Sequence, residues 1–166
     1  MEAGKRRVTH LAPGEGQTLR VLGELNTFKA RDAAYTLLES TALPGGSGLP
    51  PHVHHDQDEA IYVLEGKYAL FVSGEEESRL ARGSFATVPR GTLHALEVTG
   101  SNPGRCLVIL TPPGLLERFF EEVGVRAGYE APAPRTHKRS SPARGDTGFP
   151  CSGHRFESLE KEGVLR

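Results

Sequence analysis

Short segments rich in aliphatic, β-branched and aromatic residues follow one another along the first 111 residues, and Gly or Pro separates most of them. The segments are TLRVLGEL (18–25), YTLLEST (35–41), EAIYVLEG (59–66), KYALFVSG (67–74), SRLARG (78–83), SFATVP (84–89), LHALEV (93–98) and RCLVILT (105–111). Many short strands with regular turn signals are typical of an all-β sandwich or barrel. The linkers are too short for the crossovers that parallel strands need. The pattern therefore predicts an antiparallel all-β sandwich or barrel whose core spans about 18–111.

One later segment, LLERFFEEVG (115–124), has helical periodicity instead. Its apolar residues recur at three- and four-residue spacing with charges between them. They are Leu115, Leu116, Phe119, Phe120 and Val123. We expect a short amphipathic helix over about 115–123, ended by Gly124, with its Leu/Phe face packed on the outside of the sheet.

The composition changes at about Gly128. The last 39 residues contain only Leu159, Val164 and Leu165 as larger aliphatic side chains. Such a segment buries too little apolar surface to offset the entropy of ordering it. The sequence therefore predicts one domain over 1–127, consisting of the barrel and the helix, and an irregular or disordered tail over 128–166.

Charge and composition exclude several classes of partner. The net charge is −1 and the isoelectric point is near 6.7, so no bulk electrostatic attraction to nucleic acid or to an anionic membrane is expected. No stretch approaches 18 consecutive apolar residues, and the N-terminus lacks the apolar core of a signal peptide. The two cysteines do not suggest a disulfide framework. We expect a cytoplasmic protein with no nucleic-acid or membrane partner.

The stretch HVHHDQDE (52–59) concentrates imidazoles and carboxylates in front of an apolar strand. Alternate residues of a strand point to the same face, so His52 and His54 project together and His55 points away to the surface. Glu59 opens the next strand, and the best candidate for a third histidine is His94 in LHALEV. Three imidazoles and one carboxylate form a mixed nitrogen and oxygen site that suits one divalent ion of Fe, Mn, Ni, Co, Zn or Cu.

These residues resemble the first motif of the cupin family, G(X)5HXH(X)3-4E(X)6G. Here the motif reads Gly46, His52, His54, Glu59 and Gly66 at the required spacing. A solvated histidine loop is the alternative for HVHH taken alone. The glutamate at motif spacing favours the metal site.

The second cupin motif, G(X)5PXG(X)2H(X)3N, is also matched at Gly83, Pro89, Gly91 and His94. Val98 replaces the final Asn, which is not a metal ligand in the family. The resemblance covers about residues 18–123. It implies a jelly-roll barrel in which His52, His54, Glu59 and His94 hold the metal, and a homodimer formed through outer strands.

Within the cupins, the sequence looks most like small single-barrel proteins related to quercetin 2,3-dioxygenase. The stretches LPPHVHHDQDEAIYVLEGKY and TPPGLLERFFEEVG carry this likeness. It implies ring cleavage of a flavonol-like or other enolic small molecule with O2. Glu59 would be either a fourth ligand or a general base on the substrate hydroxyl.

The face shared with Glu59 and His94 predicts an apolar substrate pocket. Its expected wall consists of Ile61, Val63, Leu96 and Val98, with Phe71, Phe85 and Tyr35 as further candidates. A slip of one residue in strand register would reverse each of these assignments.

Two other classes of function stay open. A metal-dependent isomerase is one, although a sugar phosphate would want Lys or Arg in the barrel and the charges lie mostly at strand ends (Lys67, Arg82, Arg90). A non-catalytic cupin that binds or senses a small molecule is the other. The sequence has no helix pair with a basic recognition helix, which argues against a DNA-binding regulator.

Overall fold

The computed structural model describes residues 8–44 and 49–127. Gly46 of the first motif and the predicted tail over 128–166 lie outside the described residues. The described elements, in chain order, are β1 (Gln17–Val21), β2 (Glu24–Arg31), β3 (Thr36–Ala42), β4 (Asp58–Glu65), β5 (Lys67–Val72), β6 (Ser78–Ala81), β7 (Phe85–Val88), β8 (His94–Thr99), β9 (Gly104–Thr111), α1 (Leu115–Val123) and β10 (Val125–Arg126). None of the helices in this part of the chain is long and apolar enough to cross a membrane.

The strands form two antiparallel sheets, which confirms the predicted all-β architecture. The larger sheet has the order β10-β1-β2-β3-β9-β4-β7, and the smaller has the order β6-β5-β8. Inward-facing residues alternate with outward-facing ones along β3, β4 and β9, as expected for strands with one buried face. One hydrophobic cluster joins residues of both sheets, including Ile61 from β4, Tyr68 from β5 and Val108 from β9. The core therefore lies between the sheets.

The single strand predicted over 18–25 is wrong, because the chain reverses inside it. Val21 pairs with Glu24 across a two-residue turn, and both turn residues have positive φ, 48° at Leu22 and 91° at Gly23. This geometry is that of the tight turns whose twist matches a β-hairpin. Strand β2 then continues to Arg31, through a stretch that the sequence pattern did not assign to a strand.

Helix α1 has the predicted bounds, but its packing differs from the prediction. Leu116 and Phe120 are buried, whereas Leu115 is 55% exposed and Phe119 is 40% exposed. The Phe120 ring meets the ring of Phe28, which points inward from β2, at a centroid distance of 6.5 Å. The helix therefore covers the inner face of the large sheet rather than its outer face. Only part of the apolar stripe seen in the sequence is buried.

Helix α1 ends at Gly124 as predicted, and a residue with a side chain would not fit at this position. Its backbone is extended, with φ −77°, and its N–H donates to the Phe120 carbonyl at 2.9 Å. A Cβ at this position would collide with that carbonyl oxygen and would lie 3.1 Å from Cβ of Leu19. The chain then enters β10, which pairs with β1 through Leu19 and Arg126. Strand β1 is therefore not the outermost strand, and the homodimer stays a prediction.

Candidate metal centre

Backbone pairing brings the two histidine-bearing segments together. His52 N–H donates to His94 O at 2.9 Å, and His94 N–H donates to His52 O at 3.0 Å. His94 begins β8, as predicted, while His52 and His54 lie in an extended segment that makes an isolated bridge rather than a strand. Alternation still holds along this segment, so that both imidazoles point to the same side.

The four predicted ligands converge. Their nearest ring nitrogens and carboxylate oxygen all lie within 4.8 Å of one another. Oε2 of Glu59 is 3.1 Å from Nε2 of His54 and 3.1 Å from Nε2 of His94, and Nε2 of His52 is 3.2 Å from Nε2 of His54. His55, by contrast, is exposed, as predicted.

Two backbone carbonyls fix which ring nitrogens face the centre. Nδ1 of His52 lies 2.9 Å from Pro50 O, and Nδ1 of His94 lies 3.0 Å from Thr92 O. A carbonyl only accepts hydrogen bonds, so each Nδ1 carries a proton and each Nε2 is directed at the centre. Metal-binding histidines are commonly oriented in this way by a partner for the other nitrogen. These carbonyls cannot be predicted from the sequence, because a backbone acceptor leaves no mark in residue type.

The electrostatics of the cluster favour positive charge at its centre. Burial opposes ionisation of Glu59, but hydrogen bonds from His54 and His94 outweigh it and lower the pKa of Glu59 to about 2. Burial also works against the protonated form of His94, yet the carboxylate of Glu59 raises the pKa of that imidazole. His52 is different, since burial, helped by His94, lowers its pKa to about 4. A carboxylate and three converging imidazoles fit a divalent transition metal, which would take the place of the proton on His94 Nε2.

An exposed ion pair ties the start of β4 to the turn before His94. Asp58 accepts hydrogen bonds from the Arg90 backbone N–H at 2.9 Å and from the Arg90 guanidinium at 2.8 and 3.0 Å. In the same turn Gly91 has φ 79°, a conformation that favours glycine, and its N–H donates to His54 O at 2.8 Å. The carboxylate of Asp58 is therefore paired with Arg90.

A buried amide connects the metal-binding stretch to helix α1. Gln57 is 2% exposed, donates to Pro112 O at 3.0 Å and accepts from the Leu116 N–H at 3.2 Å. Glu117 extends this network by accepting hydrogen bonds from Thr36 and from the Gly114 N–H. Neither Gln57 nor Glu117 was singled out from the sequence. A glutamine between two acidic residues, as in HVHHDQDE, gives no sign that it is buried.

The four residues open onto a cavity inside the barrel. It encloses about 570 Å³ of space outside the protein atoms, including its opening to solvent. Apolar side chains from both sheets and from the helix line its middle. They are Leu38, Leu96, Val108, Leu116 and Phe120. Leu96 thus lies where the sequence predicted. Ile61 and Val63 share the face of Glu59 but are fully buried in the core beside the cavity, and half-buried Val98 packs against that core.

The three aromatic candidates for the pocket wall are wrong. Phe85 is 61% exposed and Tyr35 is 41% exposed, and neither lines the cavity. Phe71 lies next to Val72, which pairs with His94, so its side chain is on the opposite face of β5 from the residues that share the His94 side. The aromatic ring that does line the cavity from a strand belongs to Tyr68.

Comparisons with known proteins agree with this geometry. A family model described as the Cupin domain matches residues 39–110. Quercetin 2,3-dioxygenase of Bacillus subtilis (strain 168) is 32% identical over 117 residues, which is 69% of this chain. The match covers 34% of that protein, so the chain spans about a third of the length of this relative.

A second relative is similar in size. Tetracenomycin polyketide synthase protein TcmJ of Streptomyces glaucescens is 34% identical over 112 residues, which covers 66% of this chain and 72% of TcmJ. Among solved structures, the polyketide cyclase RemF of Streptomyces resistomycificus superposes with a TM-score of 0.58. That match covers 64% of this chain and 81% of RemF at 20% identity, and it therefore speaks for the fold alone.

Proposed function

Because the chain belongs to the cupin superfamily, we propose that it is a metal-dependent dioxygenase that acts on a flavonol-like or other enolic small molecule. One divalent transition metal would be held by His52, His54, Glu59 and His94. The observation that carries the proposal is the convergence of these four ligand atoms within 4.8 Å at one end of an apolar cavity. The relationship to quercetin 2,3-dioxygenase, 32% identical over part of that protein, supports the choice of reaction.

The residues of the chain have separable tasks in such a reaction. A bound metal supplies Lewis-acid chemistry that favours the deprotonated form of a substrate hydroxyl. Glu59 is the candidate acceptor for that proton, because its carboxylate is ionised and lies 3.1 Å from the ring nitrogens of His54 and His94. With the metal bound those nitrogens would hold the metal, so Glu59 would take the proton only after leaving the metal. His52 and His94 are held by Pro50 O and Thr92 O, so their Nε2 atoms keep their direction while Glu59 changes partner.

The cavity wall would serve substrate orientation and the exclusion of water. Leu38, Leu96 and Val108 present apolar surface beside the cluster. An apolar wall suits the flat face of an aromatic or enolic ligand and removes water from the reacting atoms. Among the described residues that line the cavity there is no Lys or Arg, which disfavours a sugar phosphate substrate and with it an isomerase of that class.

Oxygen consumption tests the proposal directly. Protein loaded in turn with Fe, Mn, Ni, Co and Cu would be given quercetin, and O2 uptake and loss of flavonol absorbance would be followed together. We expect equimolar loss of both with at least one metal. Glu59→Gln, compared with the wild type at equal metal content because Glu59 is also a proposed ligand, should lose turnover by roughly 10²- to 10⁴-fold, the range of a lost general base. Loss of flavonol without O2 uptake would contradict a dioxygenase.

A non-oxidative enzyme is the second candidate, and the relationship to TcmJ favours it. TcmJ is 34% identical to this chain over 72% of its length and belongs by name to a polyketide synthase. Proton transfer by Glu59 on an enolisable polyketide would need the same cavity and no oxygen. Turnover of an aromatic polyketide under nitrogen would favour this candidate. A metal-loaded protein that binds such molecules and converts none would instead be a sensing cupin.

A further inference from the structure

The end of the cavity away from the histidines is polar. Asn26 on β2 pairs with Ser40 on β3, and Ser40 pairs with Cys106 on β9, so these three inward-facing residues form a row across the large sheet. Tyr68 faces the same end from β5 of the small sheet, and all four residues line the cavity. We call this group, Asn26, Ser40, Cys106 and Tyr68, the polar end.

Strand register sets the separation between the polar end and the metal centre. Glu59 pairs with Leu110 on β9, whereas the row of the polar end crosses β9 at Cys106. Four residues of strand therefore separate the two levels, which is roughly 13 Å along the backbone. The row between them is apolar, because Leu38 pairs with Val108 and Val108 pairs with Ile61.

Two donors at the polar end have no nitrogen or oxygen partner among the described residues. Nδ2 of Asn26 and the hydroxyl of Tyr68 are fully buried and make no hydrogen bond to a nitrogen or oxygen of the described residues. Asn26 and Tyr68 are 4% and 3% exposed. The polar neighbour of the Tyr68 hydroxyl is the Cys106 thiol, a weak hydrogen-bonding group. Buried polar groups are normally satisfied, so two orphans that line one cavity indicate a ligand that supplies the missing acceptor.

The position of Tyr68 depends on a glycine. A Cβ at Gly104 would lie 2.6 Å from the Tyr68 hydroxyl and 2.7 Å from Cγ2 of Val98. Any larger residue at 104 would displace the ring. Gly104 on β9 of the large sheet thus leaves room for the Tyr68 ring between the sheets. The Tyr68 hydroxyl gains no strong hydrogen-bond partner there.

The charges at the polar end define the chemistry of its ligand. Glu24 also lines the cavity there, with Oε2 3.5 Å from Oγ of Ser40, and no Lys or Arg lines the cavity in the described part of the chain. A carboxylate or phosphate would meet repulsion and no cation. An uncharged oxygen, in a carbonyl or a phenolic hydroxyl, would accept from Asn26 and Tyr68 without that penalty.

We propose that the polar end is a substrate subsite, in which Asn26 Nδ2 and the Tyr68 hydroxyl donate hydrogen bonds to an uncharged oxygen on the ligand. The inference rests on the proposed function in one respect, namely that the other end of the same ligand reaches the metal centre. It narrows the substrate class to elongated molecules with a metal-binding oxygen, an apolar middle and a distant hydroxyl or carbonyl group.

Two flavonols test the subsite, because they share a metal-binding hydroxyl and carbonyl and differ in their other hydroxyl groups. Quercetin and 3-hydroxyflavone both carry the hydroxyl and carbonyl that bind a metal, and only quercetin carries further hydroxyl groups. Binding to Co(II)-loaded protein would be titrated by absorbance under nitrogen. We expect Tyr68→Phe and Asn26→Leu to weaken quercetin binding by roughly five- to tenfold each, the effect of one lost hydrogen bond, and to leave 3-hydroxyflavone unchanged. Tyr62→Phe, on the outer face of β4, is the matched control.

Equal losses for the two flavonols, or no loss for quercetin, would overturn the subsite. Metal content would be measured for each variant, and we expect the wild-type value because neither residue belongs to the metal centre.

Thermal unfolding without ligand gives a second readout that does not depend on the choice of flavonol. Removing an unpaired buried donor should leave Tm of Tyr68→Phe equal to or above the wild-type value. A fall of more than about 2 °C would mean that the hydroxyl is a structural group, and the subsite would be wrong. If the wild type binds neither flavonol while Tm of Tyr68→Phe without ligand equals the wild-type value, the proposed flavonol substrate is wrong and the subsite stands for another elongated ligand.

Discussion

His52 and His94 are joined by two reciprocal backbone hydrogen bonds, 2.9 and 3.0 Å long, so that two segments far apart in the chain meet at the ligands themselves. The backbone, rather than side-chain packing, thus sets the distance between the imidazoles. A side chain can be removed here without separating the segments. Substitutions at the cluster should therefore affect the metal more than the fold.

Replacement of one histidine tests the metal centre. We expect wild-type protein purified without an affinity tag to hold about one transition metal ion per chain and His94→Ala to hold roughly tenfold less or none, because one of four ligands is lost. Elemental mass spectrometry measures the content. His55→Ala, at an exposed position beside the cluster, should keep the wild-type value. Equal metal in both variants would remove His94 from the site.

Removal of the metal should lower stability. A ligand that binds only the folded state at a hundred times its Kd contributes about 2.7 kcal/mol, which is roughly 5–10 °C in Tm for a domain of this size. We expect a chelator to lower Tm by this amount and re-addition of the metal to restore it, as measured by calorimetry. His94→Ala should respond to neither treatment. If the chelator leaves the wild-type Tm unchanged, the prediction that the folded protein binds a metal is wrong.

The Asp58–Arg90 pair should matter for the metal and little for stability. Its side chains are about half exposed, so solvent screens the ion pair, and Tm should hardly change in Asp58→Ala. Asp58→Ala removes the hydrogen bonds between the start of β4 and the turn before His94, however. We therefore expect metal affinity to fall roughly tenfold, as for other groups that orient ligands. Competition with a chromophoric chelator measures the affinity. Glu77→Ala, which breaks the exposed pair with Arg79, is the control.

Glu117 should stabilise the helix against the barrel in a pH-dependent manner. Burial raises the pKa of this carboxyl, but hydrogen bonds from Thr36 and from the Gly114 N–H outweigh it, so the pKa is lowered. A lowered folded-state pKa gives stability that is present above the ordinary value of 4.5 and is lost as the pH falls through the folded-state pKa. We expect Glu117→Gln to cost about 1–3 kcal/mol at pH 7 and less below pH 4.5.

Urea unfolding of wild type and Glu117→Gln between pH 3.5 and 7 measures the difference. Glu122→Gln, at an exposed position on the same helix, should match the wild type throughout. A difference that stays constant with pH would mean that the carboxylate charge has no part in the network.

Cys106 should be unreactive in the folded protein. Burial raises the pKa of its thiol to about 12, so almost no thiolate exists at neutral pH. In a Cys151→Ser background, we expect the reaction with a disulfide reagent to be roughly a hundredfold slower than in urea, and to increase little from pH 7 to 9. The same background with an exposed thiol from Ser73→Cys is the positive control. Fast reaction of Cys106 in the folded state would contradict its burial.

The sequence predicted the strands and the helix well where local patterns decide them. Gly66 and Gly91 lie in turns with φ 80° and 79°, as their positions between apolar runs indicated. The hairpin at Leu22 was missed, because Leu is an unfavourable residue at positive φ and nothing in TLRVLGEL except Gly23 signals a turn. The face of helix α1 was also misjudged, since exposed Leu115 and Phe119 are as apolar as buried Leu116 and Phe120.

The ligand types and their spacing follow from the sequence alone, because alternation along an extended segment is enough to put His52 and His54 on one side. Tertiary pairing decided everything that depends on register across strands. The pairing of Val72 with His94 turns Phe71 away from the cavity, and the row from Asn26 through Ser40 to Cys106 places three polar residues at the end opposite the metal centre. A slip of one residue would exchange the two faces, and the long-range contacts that prevent it leave no local mark in the sequence.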